Sequence, residues 1–180
     1  SELNMNGKNR YFLMADKHGA GVAYYCDNWT ANSEYSIDMW LEDINWGQCH
    51  EIGHGYQAGF DNRGMYTGEV SNNLFGLQYE YSRLGKKADE LGWLFNFGKK
   101  KAVEDSLYNK IIVDKGNYNT VDLREKLILY AMLKQMAGDE AHTKMYQGYR
   151  VLANKKNFKA DDYKLPDLIN EYYSNYSKFD

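Results

Sequence analysis

The segment from His50 to His54 carries two histidines and a glutamate at a spacing suited to metal chemistry. It reads His-Glu-x-x-His, and residues four apart lie one above the other on an α-helix. Both imidazoles can therefore bind one zinc ion at about 2.0–2.1 Å. Glu51 follows the first histidine, where its carboxylate can reach a water that zinc acidifies. The pattern predicts His50 and His54 as zinc ligands and Glu51 as a general base.

A catalytic zinc of this kind needs a third protein ligand and one open position. A metzincin would have glycine at position 57 and histidine at position 60. This chain has Gln57 and Phe60 there, which excludes that class. The remaining two histidines lie far from the motif, so a carboxylate is expected as the third ligand. The candidates are Asp61, Glu69 and Glu80.

Glu69 is the best of these carboxylates because it opens a segment with the pattern of a helix start. Asn73 follows Glu69 by four residues and shares its face. The Asn73 carbonyl can then accept a hydrogen bond from the outer nitrogen of a ligand histidine, the support that zinc histidines usually have. Glu80 lies on roughly the same face two turns later, so we expect it to act as a further supporting acid.

Helical periodicity surrounds the motif and dominates the rest of the chain. An apolar stripe over 37–44 leads into the motif, and further helices are predicted over 74–84 and 141–153 and in a tail from 165 to 176, where Pro166 fits the first turn. One more helix is predicted from an apolar stripe that Gly138 closes, which consists of Leu129, Met132, Leu133 and Met136. We expect each stripe to pack into the core.

Two short runs near the start, 11–14 and 22–25, are rich in β-forming residues and flank a turn-like segment. They predict a small sheet on the N-terminal side. Together the patterns predict an α+β fold that is predominantly helical, and 180 residues without repeats or linkers predict one domain.

Composition narrows the classes of partner. Lys and Arg number 22 against 25 Asp and Glu, a net charge of −3, whereas nucleic-acid binding requires a basic face. We therefore expect no nucleic-acid partner. No run of about 18 apolar residues occurs, so we expect no membrane span. The two cysteines, Cys26 and Cys49, are either bridged or two separate thiols, and the sequence leaves both open.

The zinc region resembles the M60 (enhancin-like) metallopeptidases, which are gluzincins with a downstream glutamate ligand. The resemblance covers roughly residues 10–150 and is specific only around the motif. The residues that carry it are Trp46-Gly47-x-x-His50-Glu51-Ile52-Gly53-His54-x-x-Gln57 and Glu69-Val70-x-x-Asn73.

The resemblance implies a zincin-like catalytic domain over 1–180 with His50, His54 and Glu69 as ligands of one zinc ion and Glu51 as general base. It implies a secreted or cell-surface endopeptidase acting on mucin-like, O-glycosylated proteins. The family normally has more sheet before the zinc helix, so we expect part of the N-terminal sheet to be missing here.

Two other functions fit the same residues. One is a different gluzincin, either thermolysin-like or an aminopeptidase, although no acidic anchor for a free amine precedes the motif. The other is a non-catalytic module that binds glycoproteins through aromatic side chains; the intact Glu51 argues against it. The residue that would stabilise the oxyanion stays open among five candidates: Tyr56, Tyr66, Tyr79, Tyr81 and His142.

Overall fold

The computed structural model describes residues 12–19, 21–26, 29–33, 46–57 and 62–177. The predicted stripe over 37–44 and the candidate ligand Asp61 lie outside these residues. The described elements are β1 Phe12–Asp16, β2 Ala23–Cys26, β3 Trp29–Ser33, α1 Trp46–His54, α2 Asn73–Ser82, α3 Lys100–Tyr108, α4 Leu123–Ala137, α5 Asp139–Ala153 and α6 Leu165–Tyr176.

Most of the predicted elements are confirmed. The helices predicted over 74–84, 141–153 and 165–176 correspond to α2, α5 and α6, and the methionine-containing stripe lies in α4. Gly138 ends α4 with a φ of 90°, a conformation that favours glycine. The predominantly helical α+β class is therefore confirmed. Helix α3 was not predicted, because only Val103 and Leu107 of its side chains are buried.

The described residues belong to two compact units. One contains the three strands, α1 and α2. The other contains α4, α5 and α6, preceded by α3 from Ala102 onward.

The sheet of the first unit has the strand order β1-β3-β2. The central strand, β3, is therefore the last of the three in sequence. It runs parallel to β1 and antiparallel to β2. This strand was not predicted, because Thr30, Asn32 and Ser33 are polar although they are buried. The Ser33 hydroxyl donates to the Gly21 carbonyl at 2.6 Å, which explains how one polar side chain is tolerated there.

Helices α1 and α2 pack together in the same unit, and each contributes a glycine to the contact. A Cβ atom on Gly53 of α1 would lie 2.7 Å from the Asn72 carbonyl oxygen. A Cβ atom on Gly76 of α2 would lie 3.0 Å from Cδ1 of Trp46. These close approaches explain why helix-disfavouring glycines occur within the His-Glu-x-x-His motif and in α2.

In the second unit α4, α5 and α6 pack around buried side chains that include Leu127, Met145 and Leu165. Helix α4 begins with a capping box, in which Asp122 accepts from the first-turn backbone and Glu125 accepts from the Asp122 N–H. The buried Glu125 carboxylate also accepts from Lys110 at 2.7 Å. Burial acts to raise the pKa of Glu125, but the hydrogen bonds outweigh it and hold the pKa below its usual value.

Candidate metal centre

Helix α1 presents the two motif histidines side by side. His50 and His54 follow one another by one turn, and their ring centroids lie 5.0 Å apart with the rings nearly perpendicular. Trp46 at the start of α1 stacks on Trp93 with 5.3 Å between ring centroids. The first turn of the helix is therefore fixed by aromatic packing, which limits how the imidazoles can move.

Glu69 lies close to both histidines. One ligand atom from each of His50, His54 and Glu69 falls within 4.8 Å of the other two, and all three residues are partly buried. Two imidazole nitrogens and one carboxylate oxygen form a donor set that zinc accepts. The chemistry of these three side chains therefore fits a zinc ion.

The outer nitrogen of each imidazole faces an amide oxygen. Nδ1 of His50 lies 2.8 Å from Oδ1 of Asn73, and Nδ1 of His54 lies 2.8 Å from Oε1 of Gln57. Because a carbonyl oxygen only accepts hydrogen bonds, each Nδ1 carries the hydrogen. In the neutral imidazole, each Nε2 then carries a lone pair. This tautomer can bind a metal ion through Nε2.

Both amides are themselves held in place. The Trp46 indole N–H donates to Oδ1 of Asn73 at 2.8 Å, so this oxygen accepts from two rings. Nε2 of Gln57 donates to the Ser71 hydroxyl at 2.8 Å, which fixes the amide orientation. The predicted contact between Asn73 and a motif histidine is present, but the predicted helix face shared by Glu69 and Asn73 is wrong, because α2 begins at Asn73 and Glu69 lies in the turn before it. The contact of Gln57 with His54 was not predicted. Its position three residues after His54 was the available signal.

Glu51 lies on α1 beside His50. Its side chain is buried, and its Oε1 atom is 4.0 Å from Nε2 of His50. The carboxylate is therefore near Nε2 of His50 but beyond hydrogen-bond distance from it. That position suits a group that acts on a molecule bound next to the imidazole.

Glu80 has a different neighbour from the one that its sequence position suggests. Its buried carboxylate accepts from Nζ of Lys86 at 2.6 Å. Burial and the nearby Glu80 charge raise the pKa of the Cys49 thiol to about 11, so this thiol stays protonated. Cys26 and Cys49 are both free thiols. A supporting role for Glu80 at the metal stays a prediction.

Two of the oxyanion candidates have contacts that bear on their roles. Burial, followed by the Glu69 charge, raises the pKa of Tyr66, while its oxygen accepts from the Glu69 backbone N–H. His142 is buried in α5, and its Nδ1 lies 2.8 Å from the Tyr173 hydroxyl. His142 thus belongs to a buried aromatic cluster of the second unit, which contains α4, α5 and α6.

Comparison with known proteins gives the family. The model of the family described as Peptidase M60, enhancin and enhancin-like, matches residues 8–179. The chain belongs to the M60 family. Similar curated proteins are the viral-enhancing factors of Heliothis armigera granulosis virus, 28% identical over 68% of this chain, and of Trichoplusia ni granulosis virus, 25% identical over 81%. The chain spans only 14% and 16% of their respective lengths.

Two solved structures share the fold. Both are of a functionally unknown conserved protein from Bacillus anthracis str. Ames, one of them a mutant. They are 20% and 21% identical to this chain, with TM-scores of 0.62 and 0.65. Each likeness covers 89% of this chain and 33% of the solved one.

None of the described helices has both the length and the apolar character to cross a bilayer.

Proposed function

We propose that this M60 chain is the zincin-like catalytic domain of a zinc-dependent endopeptidase. His50, His54 and Glu69 would hold one zinc ion. The observation that carries the proposal is the approach of one ligand atom from each of these residues to within 4.8 Å, in a chain whose family is one of peptidases. That one domain extends over 1–180 remains part of the proposal.

The chemistry is hydrolysis of a peptide bond. A bound zinc ion supplies a Lewis acid that polarises the scissile carbonyl and lowers the pKa of water. Glu51 accepts the proton of the attacking water and delivers it to the leaving amine. Asn73 and Gln57 hold the two imidazoles in the tautomer that leaves Nε2 basic.

The proposed substrates are mucin-like, O-glycosylated proteins, and the proposed location is outside the cell or at its surface. Support comes from the family and from the similarity to proteins named viral-enhancing factors. A different gluzincin protease, or a module that binds glycoproteins without cutting them, would share the same metal residues. A general gluzincin would cut proteins whether or not they carry glycans, whereas a binding module would cut nothing. Cleavage assays therefore separate these two alternatives.

The experiment compares the parent with Glu51→Gln on a mucin-type glycoprotein at equal zinc content. Loss of the general base should lower the rate about 10²–10⁴-fold while zinc stays bound. Glu171→Gln, an exposed change on α6, is the matched control and should cut like the parent. Cleavage of the enzymatically deglycosylated substrate at the same rate would favour a general gluzincin. Zinc binding and glycoprotein binding without cleavage by any variant would favour the binding module.

A further inference from the structure

Asn72 is buried beside the motif histidines and does not perform the usual task of its position. It precedes α2 as the N-cap residue, where asparagine normally accepts a hydrogen bond from the first turn of its own helix. Here the side chain makes no such bond, and the backbone is already helical with φ −60° and ψ −31°. The carboxamide is directed at α1 instead.

The carboxamide contacts the nitrogen of His54 that we assign to the metal. Nδ2 of Asn72 lies 3.1 Å from Nε2 of His54 and 3.4 Å from the His50 carbonyl oxygen. His54 carries its hydrogen on Nδ1, because that atom faces the Gln57 oxygen. Asn72 therefore donates to the Nε2 lone pair. One lone pair binds either this hydrogen or a metal ion.

The close packing of α1 on α2 keeps Asn72 in this position. Gly53 lies against it so tightly that a Cβ atom there would come within 2.9 Å of the Asn72 Cα and Cβ atoms. Asn72 is fully buried, and its Oδ1 has no hydrogen-bond partner within the described part of the chain. If the contact to His54 is lost, Nδ2 keeps only the longer contact to the His50 carbonyl oxygen, and a buried amide with fewer partners is destabilised.

We propose that Asn72 is a positioning residue that competes with the metal for His54. Its hydrogen bond aligns the imidazole before metal binding and must break when zinc takes Nε2. The inference rests on the proposed zinc site. The two neighbouring asparagines then respond differently to metal binding. The Asn73 hydrogen bond to Nδ1 of His50 is retained, whereas the Asn72 hydrogen bond to Nε2 of His54 is lost.

The test measures zinc affinity by competition with a chromophoric chelator of known affinity. Asn72→Ala should bind zinc about two- to tenfold more tightly than the parent, the range that one net hydrogen bond represents. Asn73→Ala should bind about 10–100-fold more weakly. Asn154→Ala, which removes an exposed amide that donates to the Arg150 carbonyl on α5, is the matched control and should leave the affinity unchanged.

A second readout uses the parent protein and does not depend on a variant folding. In NMR spectra, the Asn72 side-chain amide signals should shift as zinc is added, in step with the His54 Nε2 signal. Weaker or unchanged affinity in Asn72→Ala would overturn the inference, as would Asn72 signals that stay fixed while His54 binds zinc. If the parent binds no zinc, or His54→Ala binds it as tightly as the parent, the zinc site itself falls and the inference with it.

Discussion

Two amide side chains hold His50 and His54 in the tautomer that the proposed zinc site needs. A histidine with an acceptor at Nδ1 is held as the Nε2-basic tautomer, and the acceptor also raises its basicity. Asn73 and Gln57 provide that acceptor at 2.8 Å in both cases. We assign neither amide a contact with the substrate. Loss of either amide should therefore lower the zinc affinity, and turnover should fall only as zinc is lost.

Gln57→Ala should weaken zinc binding about 10–100-fold, because His54 loses the acceptor that fixes its tautomer. Gln57→Glu keeps an oxygen at that position and should restore most of the affinity. Gln78→Ala is the matched control, since Gln78 also donates to a serine hydroxyl, that of Ser82, but on the exposed side of α2. Zinc titration with a competing chelator measures all three. Equal affinity in Gln57→Ala and the parent would remove Gln57 from the site.

The packing of α1 against α2 holds the side-chain amides of Asn72 and Asn73 close to the motif histidines. Helix α1 supplies His50 and His54, while Asn72 and Asn73 lie at the start of α2. The separation of the two helices therefore sets the imidazole–amide distances. The glycines that permit the approach are as necessary to the site as the polar groups themselves.

Gly53→Ala should destabilise the protein by about 1–3 kcal/mol, the usual cost of overpacking. Without the close contact, alanine would stabilise the helix by up to about 1 kcal/mol relative to glycine. The sign of the change in the free energy of unfolding therefore tests the packing argument. Gly76→Ala should cost less, because its Cβ would meet the edge of the Trp46 side chain at 3.0 Å, whereas the Gly53 Cβ would meet backbone at 2.7 Å. Urea unfolding with zinc removed gives both values. A stabilised Gly53→Ala variant would contradict the close approach.

Local patterns predicted the long helices and the motif, but not the elements whose character depends on tertiary contacts. The 3.6-residue period predicted α4 and α6, and flanking glycines marked the segment of α2. Strand β3 is polar in sequence, yet Thr30, Asn32 and Ser33 are buried in the central strand of the sheet, between β1 and β2. Likewise the prediction that every stripe packs into the core was wrong for Met132 and Met136, which are 45% and 62% exposed.

The candidate site divides in the same way. The four-residue spacing predicted that His50 and His54 share a helix face. A contact between Asn73 and a ligand histidine was also predicted, but from a helix start at Glu69 that the structure places four residues later, at Asn73. The contacts of Asn72 and Gln57 depend on how α1 and α2 approach, and the Glu80 ion pair depends on the turn that brings Lys86 back. No period or spacing encodes those distances.

Protonation of one buried histidine should affect the stability of the whole molecule. Burial lowers the pKa of His142 to about 3 from an ordinary value of 6.5. Between these values the unfolded chain binds the extra proton, so the free energy of unfolding decreases as the pH falls through this range. The ring lies against Tyr146 with 4.8 Å between ring centroids, which leaves little room for water.

The slope attributable to His142 should be up to about 1.4 kcal/mol per pH unit below pH 6.5. In His142→Gln this contribution should disappear, giving a flatter stability profile between pH 7 and 5. His18→Gln, at an exposed position, is the control and should keep the parent's slope. Urea unfolding in the presence of a chelator measures the three proteins. A parent profile no steeper than that of His142→Gln would show that His142 is not neutral when buried.

The most direct test of the zinc site is X-ray absorption at the zinc edge, combined with measured zinc content. The parent should hold one zinc ion with two imidazole nitrogens at about 2.0–2.1 Å and carboxylate oxygen at about 2.0–2.2 Å. In Glu69→Ala the carboxylate should be lost from the coordination shell and the affinity should fall, whereas Glu51→Gln should keep the parent's spectrum. Zinc that binds with the same shell in Glu69→Ala, or a parent that binds no zinc, would contradict the assignment of His50, His54 and Glu69 as its ligands.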